Sequence, residues 1–456
     1  MSIPAQYGYR CIYHFTHIEN LPGLLKTGFL CNNHPDFSPA GCRSIAEAGI
    51  QERRAEMDVP CGPGGKVHDY VPLYFGSLSP MLLAVVNRKN IDQFNILYFE
   101  FPIALLEQGH TVFTDASANT VIPPNFFSDP SDLGKLNWAE IDSLKWSSAS
   151  DELRHQRMAE ALVHSCLPLE SAHRVVVWNP DVKKRVERIV AKTRRPFPPV
   201  ELESPDRRHF FTKFFSDDPA ERQHSLVAGP KAIASRFRDA CEEIARNRGL
   251  REDAPFATPK KLLEALREDF ACLPQTAELV GLKSANGIHK HTVDIHTAEV
   301  VQKLRDLQEF KDLPHDIRER VELAAFLHDI GKGPKSRWAA KGGQQQVDPD
   351  HPVRALPMIV DILTQQVAKV KQENAELITK LVCYHDLVGE VLGKGRDERQ
   401  IVDAAQGKIE LDALFALGKA DARSLVETWW DDEEASALYS RCLEAIEERE
   451  EQKADQ

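Results

Sequence analysis

The chain is short of several things, and each shortage excludes something. No uninterrupted apolar stretch approaches the ~20 residues a membrane helix needs, so no span is expected. The opening MSIPAQYGYR has neither a basic nor an apolar leader region, and Ser2 stands where myristoylation requires glycine. Nine cysteines are scattered singly, an odd number without a CxxC pair; this argues against a disulfide framework or cysteine zinc site and predicts a reducing cytoplasm. Positive charge is also scarce. With 57 Lys and Arg against 69 Asp and Glu the net charge is −12, so any nucleic-acid contact is expected to be local.

What is present is the composition of a soluble protein, 42% hydrophobic and 28% charged, and 456 residues predict two or three domains. In the first 190 residues, IYHFTH, YVPLYF, NILYFEFP and HRVVVWN read as strands between helix-like stretches such as LPGLLKTG and SDELRHQRMAEALVH. The run TRRPFPPVELESPDRR, residues 193–208, places four prolines among charges and reads as a linker. Beyond it strand signals nearly vanish and periodic helices such as HTAEVVQKL and RERVELAAFLHDIG take over. The expected architecture is multi-domain: α+β over 8–190, a Pro-rich linker over 191–208, a helical connector over 209–280, and an all-α domain over 281–445.

The strongest local signal is AAFLHDIGK, an apolar helix that ends with His328 and Asp329 and is stopped by Gly331. Isolated His-Asp pairs are common without a metal. Here His296 precedes in DIHTAEVVQKL, His351 opens DPDHPVRAL, His385 follows in LVCYHD, and Asp421 comes in GKADARS. This order on successive helices resembles the HD-domain metal-dependent phosphohydrolases over roughly 280–440. The resemblance implies His296, His328, Asp329 and Asp421 as ligands of one divalent metal (Mn, Fe, Co, Ni or Zn). It implies His351 and His385 as ligands of a second metal with Asp329 bridging, and Lys332 as a phosphate contact. His289 and His291 are read as surface or supporting residues.

The other constellation begins IYHFTHIENLPGLLKTGFL, where His14 and His17 flank Phe15-Thr16 at a strand-to-helix corner. Then come SIAEAGIQERRAEMDVPCGPGGKVHDYVPLYFGSLSPML, VFTDASAN, LNWAEIDSLKW and SDELRHQRMAEALVH, in which Ser150 caps a helix expected to carry Arg157 and, one turn on, Glu160. In their order these segments resemble, over residues 8–190, the DarT family, bacterial toxins that use NAD to ADP-ribosylate bases of single-stranded DNA. That implies His14, Phe15 and Thr16 against NAD with Gly23 nearby, and His17 as a structural cap. It implies Glu160 as the catalytic glutamate and either Arg53 or Arg54 as the catalytic arginine. In the family that arginine is assigned to proton transfer from the base; because a guanidinium barely deprotonates, holding the NAD phosphates or stabilising a deprotonated base nitrogen is the alternative role. Leu78 and Ala116 depart from the family's arginine and glycine, where DNA is expected to pass. Arg53-Arg54 and Arg154/His155/Arg157 are the local basic groups available to it.

The resemblance implies NAD as co-substrate, single-stranded DNA as partner, and a cognate antitoxin of macrodomain hydrolase type. The competing readings are an NAD glycohydrolase, an RNA-directed transferase, or a nucleic-acid- or nucleotide-sensing module that regulates the HD half.

Overall fold

The computed structural model describes residues 2–39, 42–43, 48–119, 123–193, 195–206, 208–213, 225–285 and 291–454. The chain divides into two compact units, Met1–Val227 and Ala228–Gln456. His289 lies outside the described residues.

The first unit is built on an eight-stranded sheet of β1 (Cys11–His17), β3 (Tyr70–Tyr74), β4 (Ile96–Pro102), β5 (Thr111–Thr114), β6 (Phe126–Phe127), β7 (Glu160–His164), β9 (Arg174–Val177) and β10 (Val200–Leu202). Their order is β10-β9-β4-β1-β3-β7-β5-β6. Only β9 and β10 pair in parallel; the other ladders are antiparallel. Both faces are covered, which explains why β4 reads as one apolar run rather than an alternation. Leu97, Phe99 and Phe101 enter one core with Val71, Leu73, Ala161 and Val163, while Ile96 and Tyr98 enter another with Phe15, Leu82 and Val176. A separate antiparallel pair, β2 (Phe29–Leu30) with β8 (Cys166–Leu167), and helices that include α1 (Leu21–Thr27), α2 (Ala48–Glu56), α3 (Pro80–Asn87), α4 (Asp151–Arg157) and α5 (Pro180–Val190) accompany the sheet.

Two sequence expectations are corrected here. Glu160 is not helical: α4 stops at Arg157 and Glu160 opens β7. Ala161, Leu162 and Val163 are all buried, and so short an apolar run carries no period to separate strand from helix. The stretch 191–208 is no free linker either, because Val200–Leu202, clear of proline, joins the sheet edge and Phe197 packs against its core. Phe210 and Phe211 are buried in the first unit.

Among its described residues the second unit is almost wholly helical: α6 (Pro230–Asn247), α7 (Pro259–Glu268), α8 (Val293–Asp306), α9 (His315–Leu327), α10 (His351–Asp361), α11 (Gln372–Tyr384), α12 (Leu387–Lys394), α13 (Lys408–Leu425) and α14 (Asp432–Ala454). One continuous apolar core runs through them, taking in α6 and α7 from the stretch read as a connector. Trp430 is buried in it, whereas Trp429 is exposed.

Candidate active site and metal centre

In the first unit strand register assembles the site. Tyr13 of β1 faces Tyr74 of β3, and Tyr74 faces Glu160 of β7, so one row across three strands ties the His14 corner to Glu160. Arg54 reaches Glu160 from α2 with both terminal nitrogens, Nη1 to Oε1 and Nη2 to Oε2, each at 2.9 Å. The pair is enclosed, with Arg54 7% and Glu160 1% exposed. Such a fork is the geometry by which guanidinium binds carboxylate best. Burial opposes Arg54's charge, but Glu160 more than compensates and raises its pKa. The Ala118 amide donates to Oε1 at 3.0 Å. The Thr114 hydroxyl accepts the Glu160 N–H at 3.1 Å and donates to the Ala116 carbonyl at 2.7 Å. Three of the carboxylate's roughly four acceptor positions are therefore filled.

Arg53 points elsewhere: it is exposed, and its Nε donates to the Asn119 carbonyl at 3.0 Å. Arg157 is buried, its guanidinium spent on the carbonyls of Lys145 (2.6 Å) and Leu78 (3.1 Å), so it offers nothing to a groove.

Beside Arg54 opens a cavity of about 690 Å³ lined by His14, Phe15, Thr16, Gly23 and His68. The ring of His14 is half-buried against Phe29, and its Nδ1 lies 2.8 Å from the Pro72 carbonyl. A carbonyl only accepts, so that nitrogen carries the proton and Nε2 keeps a lone pair. Burial also lowers His14's pKa, favouring the neutral ring. The Thr16 hydroxyl accepts from Asn20 at 3.0 Å, and Phe15 stacks on Tyr74. A side chain at Gly23 would meet nothing, leaving that wall open. His17 is buried and its Nδ1 accepts from the Glu19 amide at 3.3 Å, capping the turn.

In the second unit all six expected ligands converge. His296 on α8 and Asp421 on α13 approach to 3.1 Å (Nε2 to Oδ1) because those two helices pack together. His328, just past α9, lies 3.3 Å from Asp329 Oδ2, while His351 at the start of α10 lies 3.3 Å from Oδ1. Asp329 thus belongs to two clusters, one with His296 and His328, the other with His351 and His385. Asp386 was missed: it forms a third cluster with His385 and Asp421, and its signal in the sequence is the second His-Asp pair, in LVCYHD. Gly331 does not end a helix by a left-handed turn. It is glycine because α10 passes so close that a Cβ would collide with the His351 carbonyl and, at 2.8 Å, the Ala355 nitrogen.

The ligand rings are held from behind. His328, His351 and His385 each set Nδ1 against the carbonyl three residues back, at 2.7, 3.0 and 2.8 Å, and His296 sets it against the Ser424 hydroxyl at 3.1 Å. Every Nε2 is thereby turned inward as a potential ligand. Burial works against charge here, yet Lys332, 2.6 Å from Asp329 Oδ2, and His328 hold the Asp329 carboxyl well below the usual range. Burial likewise opposes a proton on His328, which Asp329 nevertheless lifts to about 9; a metal cation would take that proton's place. Among the described residues, His328 Nε2 and Asp329 Oδ1 are buried without a hydrogen-bond partner. Atoms so placed, among imidazoles and carboxylates, fit divalent transition-metal ions. His291 stands apart, 3.4 Å from Glu299 and half exposed.

Comparison with known proteins agrees with both halves. Residues 13–211 match the family of "ssDNA thymidine ADP-ribosyltransferase, DarT", and residues 293–417 match the HD domain. A DNA ADP-ribosyl transferase of Thermus sp. (strain 2.9) is 35% identical over 192 residues, 41% of this chain and 90% of that protein. A solved structure of Thermus sp. 2.9 DarT in complex with ADP-ribosylated ssDNA aligns at 33% identity with TM-score 0.39, covering 44% of this chain and 97% of that one. A bifunctional uridylyltransferase/uridylyl-removing enzyme of Cereibacter sphaeroides is 27% identical over 186 residues, 37% of this chain and 18% of that protein. The chain belongs to the DarT family of DNA ADP-ribosyl transferases, and carries an HD domain behind its DarT domain.

Proposed function

We propose that the chain transfers ADP-ribose from NAD to a thymidine base of single-stranded DNA, and that its HD domain is a metal-dependent phosphohydrolase working on the same chain. The observation that carries the transferase reading is the enclosed Arg54–Glu160 fork beside a cavity walled by His14, Phe15, Thr16 and Gly23. In this reading the free Nε2 of His14 and the Thr16 corner receive the nicotinamide end of NAD. The acceptor position left on Glu160 Oε2 takes a ribose hydroxyl, and its charge steadies the oxocarbenium-like centre as nicotinamide leaves. Arg54 holds that carboxylate in place and presents positive charge to the cavity. Arg53, the alternative, is turned away from Glu160.

In the HD domain His296, His328, Asp329 and Asp421 would hold one divalent ion (Mn, Fe, Co, Ni or Zn), and Asp329, His351 and His385 a second. A metal ion there polarises a phosphoryl oxygen and lowers the pKa of water. In this reading Lys332, paired with Asp329 beside the cluster, would be the contact to a phosphate. A cytoplasmic location, and an antitoxin of macrodomain hydrolase type as partner, go with this reading. Among the described residues no helix is long and apolar enough to cross a membrane.

The test is intact-mass analysis of short single-stranded DNA and RNA after incubation with the protein and NAD, beside a Glu160→Gln control. A Glu160-dependent ADP-ribose adduct on DNA supports the reading. An adduct on RNA alone points to an RNA-directed transferase, NAD consumed without an adduct points to a glycohydrolase, and intact NAD leaves a sensing module.

A further inference from the structure

The second unit holds a cavity that neither proposed activity uses. It measures about 950 Å³, at the upper end of the range for small-molecule pockets. Its walls are the end of α6, the start of α7, the first turns of α9, and residues 368–371 leading into α11. None of its lining residues is a histidine or a member of the three metal clusters. Helices α9 and α11 begin at the cavity, and His328–Asp329 and His385–Asp386 follow their far ends. Roughly 15–20 Å of helix therefore separates this cavity from the metal centre.

One wall is cationic. Arg248, just past α6, donates from Nε to Gln372 Oε1 at 2.9 Å and from Nη1 to the Val370 carbonyl at 3.2 Å. Gln372 is held in turn by Glu376 at 2.7 Å, so the guanidinium is fixed in place with Nη2 uncommitted. Lys369 and Lys371 stand exposed on either side of buried Val370. Lys369 has no ion-pair partner among the described residues, and the carboxylate nearest Lys371, that of Glu373, is 3.9 Å away. No side chain caps α11, which leaves the N–H groups of its first turn as anion donors. Asn374 lies in that turn; its Oδ1 is buried, leaving Nδ2 as the open end. The facing wall is neutral, with Lys260 paired to Glu319 and Arg320 to Asp316, each at 2.7 Å. Those carboxylates keep further acceptor positions. With Glu252, the lining carries five positive and three negative side chains, a local excess of cations on a chain of net charge −12.

We infer that this cavity is a binding site for a nucleoside polyphosphate, an inference independent of what either catalytic centre does. The phosphates lie against Arg248, Lys369, Lys371 and the first turn of α11, where charge-assisted hydrogen bonds are strongest. The ribose hydroxyls donate to Asp316 and Glu319. A bare diphosphate would leave most of the volume and the whole second wall unused. No aromatic ring lines the cavity to stack a base, so affinity follows the number of phosphates and not the identity of the base. With no metal ligand in its lining, the site holds the nucleotide without cleaving it.

The experiment is calorimetric titration of the full chain with ATP, GTP, AMP and inorganic pyrophosphate, with a chelator present to keep metal from the HD centre. ATP and GTP are expected to bind within about threefold of each other, and roughly tenfold or more tighter than AMP or pyrophosphate. Lys369→Gln should raise the ATP dissociation constant about tenfold, and Lys369→Glu with Lys371→Glu about 100-fold. Both lysines are exposed, so the fold is kept. Lys184→Glu, the same charge change at an exposed site on the first unit, should leave the constant within about twofold. Hydrogen exchange should show ATP protecting the amides of residues 369–375. Absence of ATP binding, unchanged affinity in the double variant, or protection confined to the transferase cavity or the metal centre overturns the inference. Pyrophosphate or AMP binding as tightly as ATP overturns the assignment to a nucleoside polyphosphate.

Discussion

At Arg53 and Arg54 the chain puts two identical side chains in opposite surroundings, and the sequence alone does not say which is which. Arg54→Lys, which cannot form the two-pronged contact with Glu160, is expected to lower DNA adduct formation by roughly 100-fold. Arg53→Ala should stay within about threefold, read in the same mass assay. Arg54→Ala would strand Glu160's charge in a closed site and cost about 3–5 kcal/mol, measurable by denaturant unfolding. At Asp329, whose two oxygens face two clusters, Asp329→Asn is expected to cut bound metal from two ions per chain to at most one by elemental analysis, while DNA modification continues. A third residue predicts a pH effect. His209 is buried between Glu100 (3.3 Å) and Glu203 (3.1 Å), and although burial opposes its charge, these carboxylates raise its pKa. A raised folded-state pKa contributes stability that is complete below the unfolded value of about 6.5 and is lost as pH climbs through the folded one. The melting temperature of the first unit should therefore decline over that window, and the decline should flatten in His209→Gln.

Elements show where sequence reading stops. The strands β1, β3, β4 and β9 are legible because aromatic and β-branched residues crowd between Gly, Pro and Asn. Strand β7 is not, because burial on both faces erases its alternation and the apolar pattern of the preceding helix continues into it. Strand β10 is hidden by prolines that flank its three residues without entering them. In the metal centre the ligand order is legible since the ligands arrive on successive helices; the second His-Asp pair hints at Asp386, but only the packed helices bring it to Asp421. The contact of His68 with Gln51 is likewise invisible in GGKVHDY, because it depends on α2 packing beside that turn. The close approach of α10 to Ile330–Lys332 yields an element-scale prediction. Gly331→Ala forces backbone apart at the point where His351 begins, so it should cost about 1–3 kcal/mol and weaken metal binding together. Thermal unfolding with and without added Mn²⁺ would show both.

At the scale of the molecule each unit closes its own core, so metal removal should act on one alone. Scanning calorimetry with a chelator is expected to lower the transition of the helical unit and leave the sheet unit's in place, since ligands stabilise only the state that binds them. The two domain types were legible in composition alone, strands before residue 190 and helices after; the contact boundary at Val227 was not, because the pairing of β10 and the burial of Phe210–Phe211 are tertiary facts. Strand order has one more consequence. Strand β3 is flanked by β1, which precedes it, and by β7, which arrives about ninety residues later in the chain. While the protein is being synthesised, Arg54 emerges long before its carboxylate partner, and the sheet stands open where β7 will insert. A ribosome-bound or prematurely terminated chain ending before Glu160 therefore carries the residues that line the cavity but not the carboxylate that Arg54 grips, and the fork forms only once the chain has reached β7.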